Sequence, residues 1–216
     1  MRFYLISGIL FLTLIAVALS RGIQGTVVCF GDSIAHGAKV NGHSWIYFLS
    51  NEHKDINFIN EGRNGRKTSD KNEILPDLKK YPDADYFLIF LGVNDLKNGN
   101  DSMVNQCVEN MEWMINKIRE SNKNTKIVIL APTDINLNTM SQLNVKKLYN
   151  ENTKSSLVKL EKKYKELAKV EKSGFISLLK TVSSPNYVDG LHPDEKGQQQ
   201  IADAVWNGLN KIYTQK

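Results

Sequence analysis

The chain has 216 residues, of which 41% are hydrophobic and 24% are charged, with a formal net charge of +5. These proportions are typical of a soluble globular protein with enough chain for one buried core, and the two cysteines do not indicate a disulfide framework. The basic residues are scattered among acids and asparagines, without an aromatic-interleaved basic stripe. We therefore predict no nucleic-acid partner.

The first twenty residues differ from the rest of the chain in composition. A positive start at Arg2 precedes an apolar run over residues 3–19, whose length is at the lower limit for a membrane-spanning helix. Ala16-Val17-Ala18 and Ala18-Leu19-Ser20 both have the small-x-small pattern of a signal-peptidase site. We predict a cleaved signal peptide over residues 1–20 and a secreted or periplasmic protein. The alternative is an uncleaved anchor, in which case the leader alone contacts the membrane.

Beyond the leader, short apolar runs alternate with amphipathic helical patterns. This alternation predicts an α/β fold with a mainly parallel sheet and right-handed crossovers, in one domain over residues 21–216. The predicted strands cover residues 27–30, 56–60, 86–91, 127–130 and 175–178, and the predicted helices cover 44–49, 74–78, 102–120, 145–169 and 194–209. Cys29 in the first strand and Cys107 on a helical face are both interpreted as small buried residues.

The end of the first strand carries a candidate nucleophile. The apolar run ends at Gly31-Asp32-Ser33, at the carboxyl end of a parallel strand, where open α/β sheets bind their ligands. Gly31 relaxes the steric limit on the turn, so that Ser33 can be presented at the rim of the sheet. Gly-Asp-Ser is also common in ordinary turns, so the serine needs support from other residues.

A serine nucleophile needs a base, and the base needs an orienting partner. Three of the four histidines lie in turns or charged stretches, which favours a surface role: His36, His43 and His53. His192 differs because Asp189 precedes it by three residues in a tight turn, which can aim the carboxylate at one ring nitrogen and leave the other free. The order serine, aspartate, histidine is also that of other α/β hydrolases.

Acyl transfer also needs hydrogen-bond donors for the oxyanion. The loops after the second and third predicted strands begin at the same edge of the sheet as Ser33. Gly62 can offer a backbone N–H in the first of these loops, and Asn94 can offer its side-chain amide in the second.

Four motifs at strand ends support a family resemblance. They are Gly31-Asp32-Ser33-Ile34, Gly62 with Asn64, Gly92-Val93-Asn94-Asp95, and Asp189-Gly190-Leu191-His192. In this order they resemble the four blocks of the SGNH (GDSL) hydrolase superfamily, over residues 27–209. The resemblance implies a flavodoxin-like three-layer sandwich, with a five-stranded sheet in the order 2-1-3-4-5, and no metal or organic cofactor.

The resemblance also implies a role for each motif. Ser33 would be the nucleophile, His192 the base, and Asp189 the residue that orients the base. The main-chain N–H groups of Ser33 and Gly62 and the side-chain amide of Asn94 would form the oxyanion hole.

The expected function is that of a serine esterase acting through an acyl-enzyme on a small-acyl, acetyl-type ester, with a carbohydrate as one candidate carrier. The alternatives are a lysophospholipase or thioesterase acting on longer acyl chains, and a catalytically silent ligand-binding module. Ala35 replaces the second glycine of the Gly-x-Ser-x-Gly elbow of ordinary lipases, so that motif is absent. Three cations flank Gly62 and either favour anionic substrates or are solvated loop charges: Arg63, Arg66 and Lys67.

Overall fold

Five parallel strands form one sheet in the order β2-β1-β3-β4-β5 in the computed structural model, which describes residues 22–214. The strands are β1 (Gly25–Gly31), β2 (Ile56–Gly62), β3 (Tyr86–Phe90), β4 (Lys126–Ala131) and β5 (Gly174–Ser177). The helices are α1 (Ser33–His36), α2 (Trp45–Glu52), α3 (Ile74–Lys80), α4 (Asp101–Ser121), α5 (Gln142–Lys146), α6 (Glu151–Val170) and α7 (Glu195–Tyr213). Two 3-10 turns cover Thr68–Glu73 and Leu137–Thr139. The predicted fold class and strand order are confirmed.

Helices cover both faces of the sheet, which makes the fold a three-layer sandwich. On one face, Val28 and Phe87 belong to a core cluster with side chains of α3, α4 and α6. On the other face, Val27 and Leu88 pack with side chains of α1, α2 and α7. Because alternate residues of each strand enter different clusters, the central strands are apolar on both faces, as a parallel sheet requires.

The register of the strands aligns the three loops that carry the predicted site. Gly31, the last residue of β1, pairs with Gly62 at the end of β2 and with Phe90 at the end of β3. The chain therefore leaves these three strands at the same level of one sheet edge. An added Cβ at Gly31 would lie 2.5 Å from the Cβ of Ala35, so the first loop turns more tightly than a larger residue would allow.

The predicted long helix over residues 145–169 is wrong in its first turn. The structure ends α5 at Lys146 and begins α6 at Glu151. Between them Leu148 has φ +68° and is 56% exposed, so it is not the inward-facing residue expected from the apolar pattern. The side chain of Asn150 accepts from the Thr153 N–H, and the Thr153 hydroxyl accepts from the Asn150 N–H, a capping box that starts α6. The break places Tyr149 in the core.

Cys29 and Cys107 are free and buried in the two different core clusters, in agreement with their interpretation as small buried residues. No helix within residues 22–214 is long and apolar enough to cross a membrane. The predicted signal peptide, and the export that it implies, concern residues outside the described range and stay predictions.

Candidate active site

Ser33 is the first residue of α1, directly after the tight turn that follows β1. The side chain of Asp32 caps this short helix by accepting a hydrogen bond of 2.9 Å from the Ile34 N–H. As the first helical residue, Ser33 has a main-chain N–H without an intrahelical acceptor. Its side chain is almost buried, with 7% of the residue exposed. The hydroxyl is therefore held at the floor of a cavity.

The turn between β5 and α7 brings His192 and Asp189 to this hydroxyl. His192 Nε2 lies 3.0 Å from Ser33 Oγ, and His192 Nδ1 lies 2.9 Å from Asp189 Oδ2. Asp189 Oδ1 also accepts from the main-chain N–H groups of His192 and Leu191, at 2.8 and 3.1 Å. Asp189 and His192, 156 and 159 residues from Ser33 in sequence, thus form one hydrogen-bonded chain with it.

Contacts with the segment before α6 fix the shape of this turn. The Ser141 N–H and the Asn144 side-chain amide both donate to the Asp189 carbonyl oxygen, each at 3.1 Å. Gly190 has φ +77°, and an added Cβ would lie 2.5 Å from the Asn136 carbonyl oxygen. Glycine is therefore required at this position for both its backbone conformation and its contact with the neighbouring loop.

The pKa values of the Asp189 and Asp32 carboxyl groups are shifted in opposite directions. Burial raises the pKa of Asp189, but the hydrogen bonds from His192 and from the Leu191 N–H have the opposite effect and hold it well below its usual range. Burial also raises the pKa of Asp32, and here it prevails and brings the value to about 7, although the Ile34 N–H and His192 act to lower it. Asp189 is therefore the ionised carboxylate beside the imidazole.

A cavity of about 270 Å³ lies above Ser33 at this edge of the sheet, and we call it the Ser33 cavity. Its lining includes residues from every loop described above: Ser33, Ala38, Lys39, Asn64, Gly65, Asn94, Lys97, Leu143, Asn144, Lys147, Tyr149, Asp189, Leu191 and His192. The cavity thus contains the predicted Asn94 beside the serine and the histidine.

The amide of Asn94 is oriented from both ends. Its Nδ2 donates to the Arg66 carbonyl oxygen at 3.1 Å, and its Oδ1 accepts from the Tyr149 hydroxyl at 2.7 Å. A reversed amide would set two oxygens against each other at Arg66, so these partners assign the nitrogen. Nδ2 carries a second hydrogen, which is not used in either contact.

The structure does not bring Gly62 to the Ser33 cavity. Gly62 is the last residue of β2, and its N–H donates to Asn60 Oδ1 at 2.9 Å. Gly65 lies in the cavity lining instead, with φ +75°, and its N–H forms no hydrogen bond to any residue between 22 and 214. The dipeptide Asn64-Gly65 is a strong turn signal in the sequence. It indicates that the tip of this loop, where N–H groups are free, lies at Gly65 and not at Gly62.

Within the described residues, the other three histidines form no hydrogen bond with the Ser33 hydroxyl. His36 Nδ1 donates to the Gly62 carbonyl oxygen at 3.2 Å. His43 lies 2.8 Å from Glu195 Oε1 and stacks on Tyr47, and His53 stacks on Trp206. His36 and His43 thus have the surface roles that the sequence favoured, whereas His53 packs against Trp206 with its Nε2 buried and without a hydrogen-bond partner in the described part of the chain.

Arg63 and Arg66 bind protein groups rather than facing the cavity. Arg63 forms ion pairs with Asp70 and Glu73, at 2.9 and 2.7 Å. Arg66 is 6% exposed and donates to the Gly31 carbonyl oxygen at 2.7 Å, to the Glu61 carbonyl oxygen and to Glu73. Arg66 is therefore neither a solvated loop charge nor free to bind a substrate, whereas Arg63 lies on the exposed surface with its charge paired to Asp70 and Glu73.

Comparison with known proteins identifies the family. The model of the GDSL-like lipase/acylhydrolase family matches residues 29–200. The chain belongs to this family. It is an SGNH-type carboxylic ester hydrolase, and the resemblance of the four motifs is confirmed. Among curated proteins, none matches this chain.

Solved structures of esterases share the fold of this GDSL-like hydrolase. A carbohydrate acetylesterase family member from Sinorhizobium meliloti is 20% identical with a TM-score of 0.73, over 88% of this chain and 99% of its own. The aryl esterase of M. smegmatis is 19% identical with a TM-score of 0.75, over 87% and 99%. The acetyl xylan esterase AlAXEase is 20% identical with a TM-score of 0.68, over 84% and 98%. At these low identities the likeness shows a shared fold and nothing beyond it.

Across residues 22–214, no group of three or more histidine, cysteine, aspartate or glutamate side chains is arranged to hold a metal ion.

The raised pKa of Asp32 predicts a specific dependence of stability on pH. The pKa of Asp32 is about 7 in the folded protein and near 4 in the unfolded chain. The contribution of the protonated Asp32 carboxyl to the free energy of unfolding is therefore complete below pH 4 and is lost as the pH rises through 7. Asp32→Asn keeps the cap oxygen without the ionisation. We expect its free energy of unfolding, relative to the wild type, to increase by up to roughly 1 kcal/mol per pH unit between pH 4 and 7 and then level off.

Urea unfolding of both proteins at several pH values would measure this difference. A difference that stays constant from pH 4 to 7 would show that Asp32 is ionised in the folded protein throughout that range.

Proposed function

We propose that this esterase hydrolyses small-acyl esters carried on a carbohydrate, through an acyl-enzyme on Ser33. The observation that supports this proposal best is the hydrogen-bonded chain from Ser33 Oγ through His192 to Asp189, with distances of 3.0 and 2.9 Å. A carboxylate can only accept, so Asp189 holds the proton on Nδ1 and leaves Nε2 of the neutral ring as the acceptor for the Ser33 proton. His192 is thereby the general base.

The reaction then has two halves. Ser33 Oγ attacks the carbonyl carbon while its proton moves to His192 Nε2, and the collapse of the tetrahedral intermediate expels the alcohol, which takes that proton. A water molecule then gives a proton to His192 and attacks the acyl-enzyme. When this second tetrahedral intermediate collapses, the proton passes from His192 to Ser33 Oγ, the carboxylic acid leaves, and both side chains are restored. Asp189 stabilises the imidazolium that forms in each half.

Three donors are proposed for the oxyanion. They are the main-chain N–H of Ser33, the main-chain N–H of Gly65 and the second Nδ2 hydrogen of Asn94. Gly65 replaces Gly62 in this role because its N–H is unpaired within the described chain and lies in the cavity lining, whereas the Gly62 N–H is bound to Asn60. Fixed donors of this kind stabilise the charge that develops in the transition state.

Two observations favour a small acyl group on a sugar. The Ser33 cavity has a volume of about 270 Å³, and most of its lining side chains are polar or charged, which does not suit a long alkyl chain. Three of the structural neighbours are described as carbohydrate or xylan acetylesterases. The second candidate, a lysophospholipase or thioesterase, is favoured by Leu143, which lines the cavity and is 60% exposed.

Kinetics on p-nitrophenyl esters of increasing acyl length test this function. We expect kcat/KM to be highest for acetate and to fall for octanoate, and Ser33→Ala to be inactive on both. A preference for octanoate would favour the second candidate. Turnover that survives in Ser33→Ala would contradict the proposed nucleophile, and a wild type without turnover would favour a silent binding module.

Variants of the other two residues test the chain as a unit. His192→Ala should lower kcat by roughly 10⁴-fold or more, and adding Ser33→Ala should cost little further. Asp189→Asn should lower kcat less than His192→Ala does, because the imidazole remains. His43→Ala is the matched control, since His43 contacts Glu195 at the surface. Equal losses for His43→Ala and His192→Ala would contradict the assignment of the base.

The orientation of Asn94 gives a separate prediction. Tyr149→Phe keeps the ring but removes the donor to Asn94 Oδ1, so we expect kcat to fall about 2- to 10-fold with little change in KM. Asn94→Ala should lower kcat by roughly 10²–10³. In the Asn94→Ala background, Tyr149→Phe should have no further effect, because its hydroxyl then has no amide to position. An equal loss in both backgrounds would show that Tyr149 acts independently of Asn94.

A further inference from the structure

Three lysines face the Ser33 cavity without a partner of opposite charge. Lys39, Lys97 and Lys147 belong to its lining, and the lining carboxylate, Asp189, is bound to His192. Within the described part of the chain, no carboxylate lies within 4.0 Å of any of these three ammonium groups. The cavity therefore carries an uncompensated positive charge.

The three lysines come from separate parts of the fold. Lys39 lies between α1 and α2 and has φ +71°, an uncommon backbone conformation for this residue type. Lys97 follows β3, is half-buried, and has its Nζ 5.5 Å from the centre of the Tyr149 ring. Lys147 directly follows α5 and is exposed. The positive charge thus extends from the interior of the cavity to its rim.

The positive charges of Lys97 and Lys147 repel each other in the empty protein. Burial lowers the pKa of Lys97, and the positive charges of Lys67 and Lys147 lower it further, while Asp95 opposes them. Asp95 itself is bound to the N–H and hydroxyl of Thr68. An anionic group that enters the cavity would relieve this repulsion, which a neutral ligand would not.

We propose that the preferred ester is an acylated acidic glycan, whose carboxylates are bound by Lys39, Lys97 and Lys147. This inference rests on the proposed esterase function and adds the charge of its substrate. Because the lysines stand on three separate segments and range from half-buried to exposed, they fit a substrate with several anionic groups along its length. The selectivity therefore comes from these lysines and not from Arg63 and Arg66, which bind protein carboxylates.

A matched pair of substrates tests the proposal. The O-acetylated methyl glycosides of galacturonic acid and galactose differ only at C6, in the carboxylate. At low ionic strength we expect kcat/KM for the uronate to exceed that for the neutral sugar by about tenfold. Lys97→Gln and Lys147→Gln should each lower this ratio about three- to fivefold, and 0.5 M NaCl should lower it in the wild type.

Lys146→Gln is the control, since Lys146 is exposed on α5 next to Lys147 but is not part of the lining. It should leave the ratio unchanged. A wild-type ratio of kcat/KM near one, uronate to neutral sugar, would overturn the proposal of an acidic glycan. Turnover of both esters would in that case still support the esterase function. A wild type without activity on either glycoside or on p-nitrophenyl acetate overturns both. Faster hydrolysis of an anionic lysophospholipid than of the uronate would assign the lysines to a phosphate instead.

Discussion

In-register parallel pairing is the constraint on which the site depends. Gly31, Gly62 and Phe90 pair side by side at the ends of β1, β2 and β3, so the three following loops begin at one level of the sheet. Ser33, Gly65 and Asn94, which are remote in sequence, meet for this reason. Arg66 reinforces the arrangement, because its buried guanidinium binds the main-chain carbonyls of Gly31 and Glu61 and lies 4.0 Å from the centre of the Phe30 ring. A change in register would separate Ser33 from Gly65 and Asn94.

Asp189 and His192 reach this edge of the sheet from a different strand. The turn from Asp189 to His192 follows β5, at the far side of the sheet from β2, and it is held in place by Asn144 and the segment before α6. The same segment delivers Tyr149 to Asn94 and Lys147 to the cavity. The break between α5 and α6 thus connects the turn of Asp189 and His192, the side chain of Asn94 and the lysine at the cavity rim, which a continuous helix would not do.

Local patterns predicted the strands and the residues whose neighbours in sequence define their role, such as Ser33 after Gly31 and His192 after Asp189. The order of the strands in the sheet was implied by the family resemblance and not by those patterns. Gly62 was misplaced because period-two alternation does not reveal where a strand ends, and β2 continues to that residue. Tyr149, Lys97 and Lys147 were not identified because their roles depend on contacts between distant segments. The helix predicted over residues 145–169 is interrupted by the left-handed backbone of Leu148 and by the extended backbone of Asn150, which caps α6.

The central claim is that His192 activates Ser33 as the nucleophile. An alkyl fluorophosphonate tests it most directly, because an activated serine displaces the fluoride and forms a stable bond to phosphorus. Intact-protein mass spectrometry and peptide mapping would then locate the adduct. The account predicts one adduct per chain, on the peptide that contains Ser33, absent in Ser33→Ala and much slower to form in His192→Ala. An adduct on another residue, or equally fast labelling in His192→Ala, would contradict it.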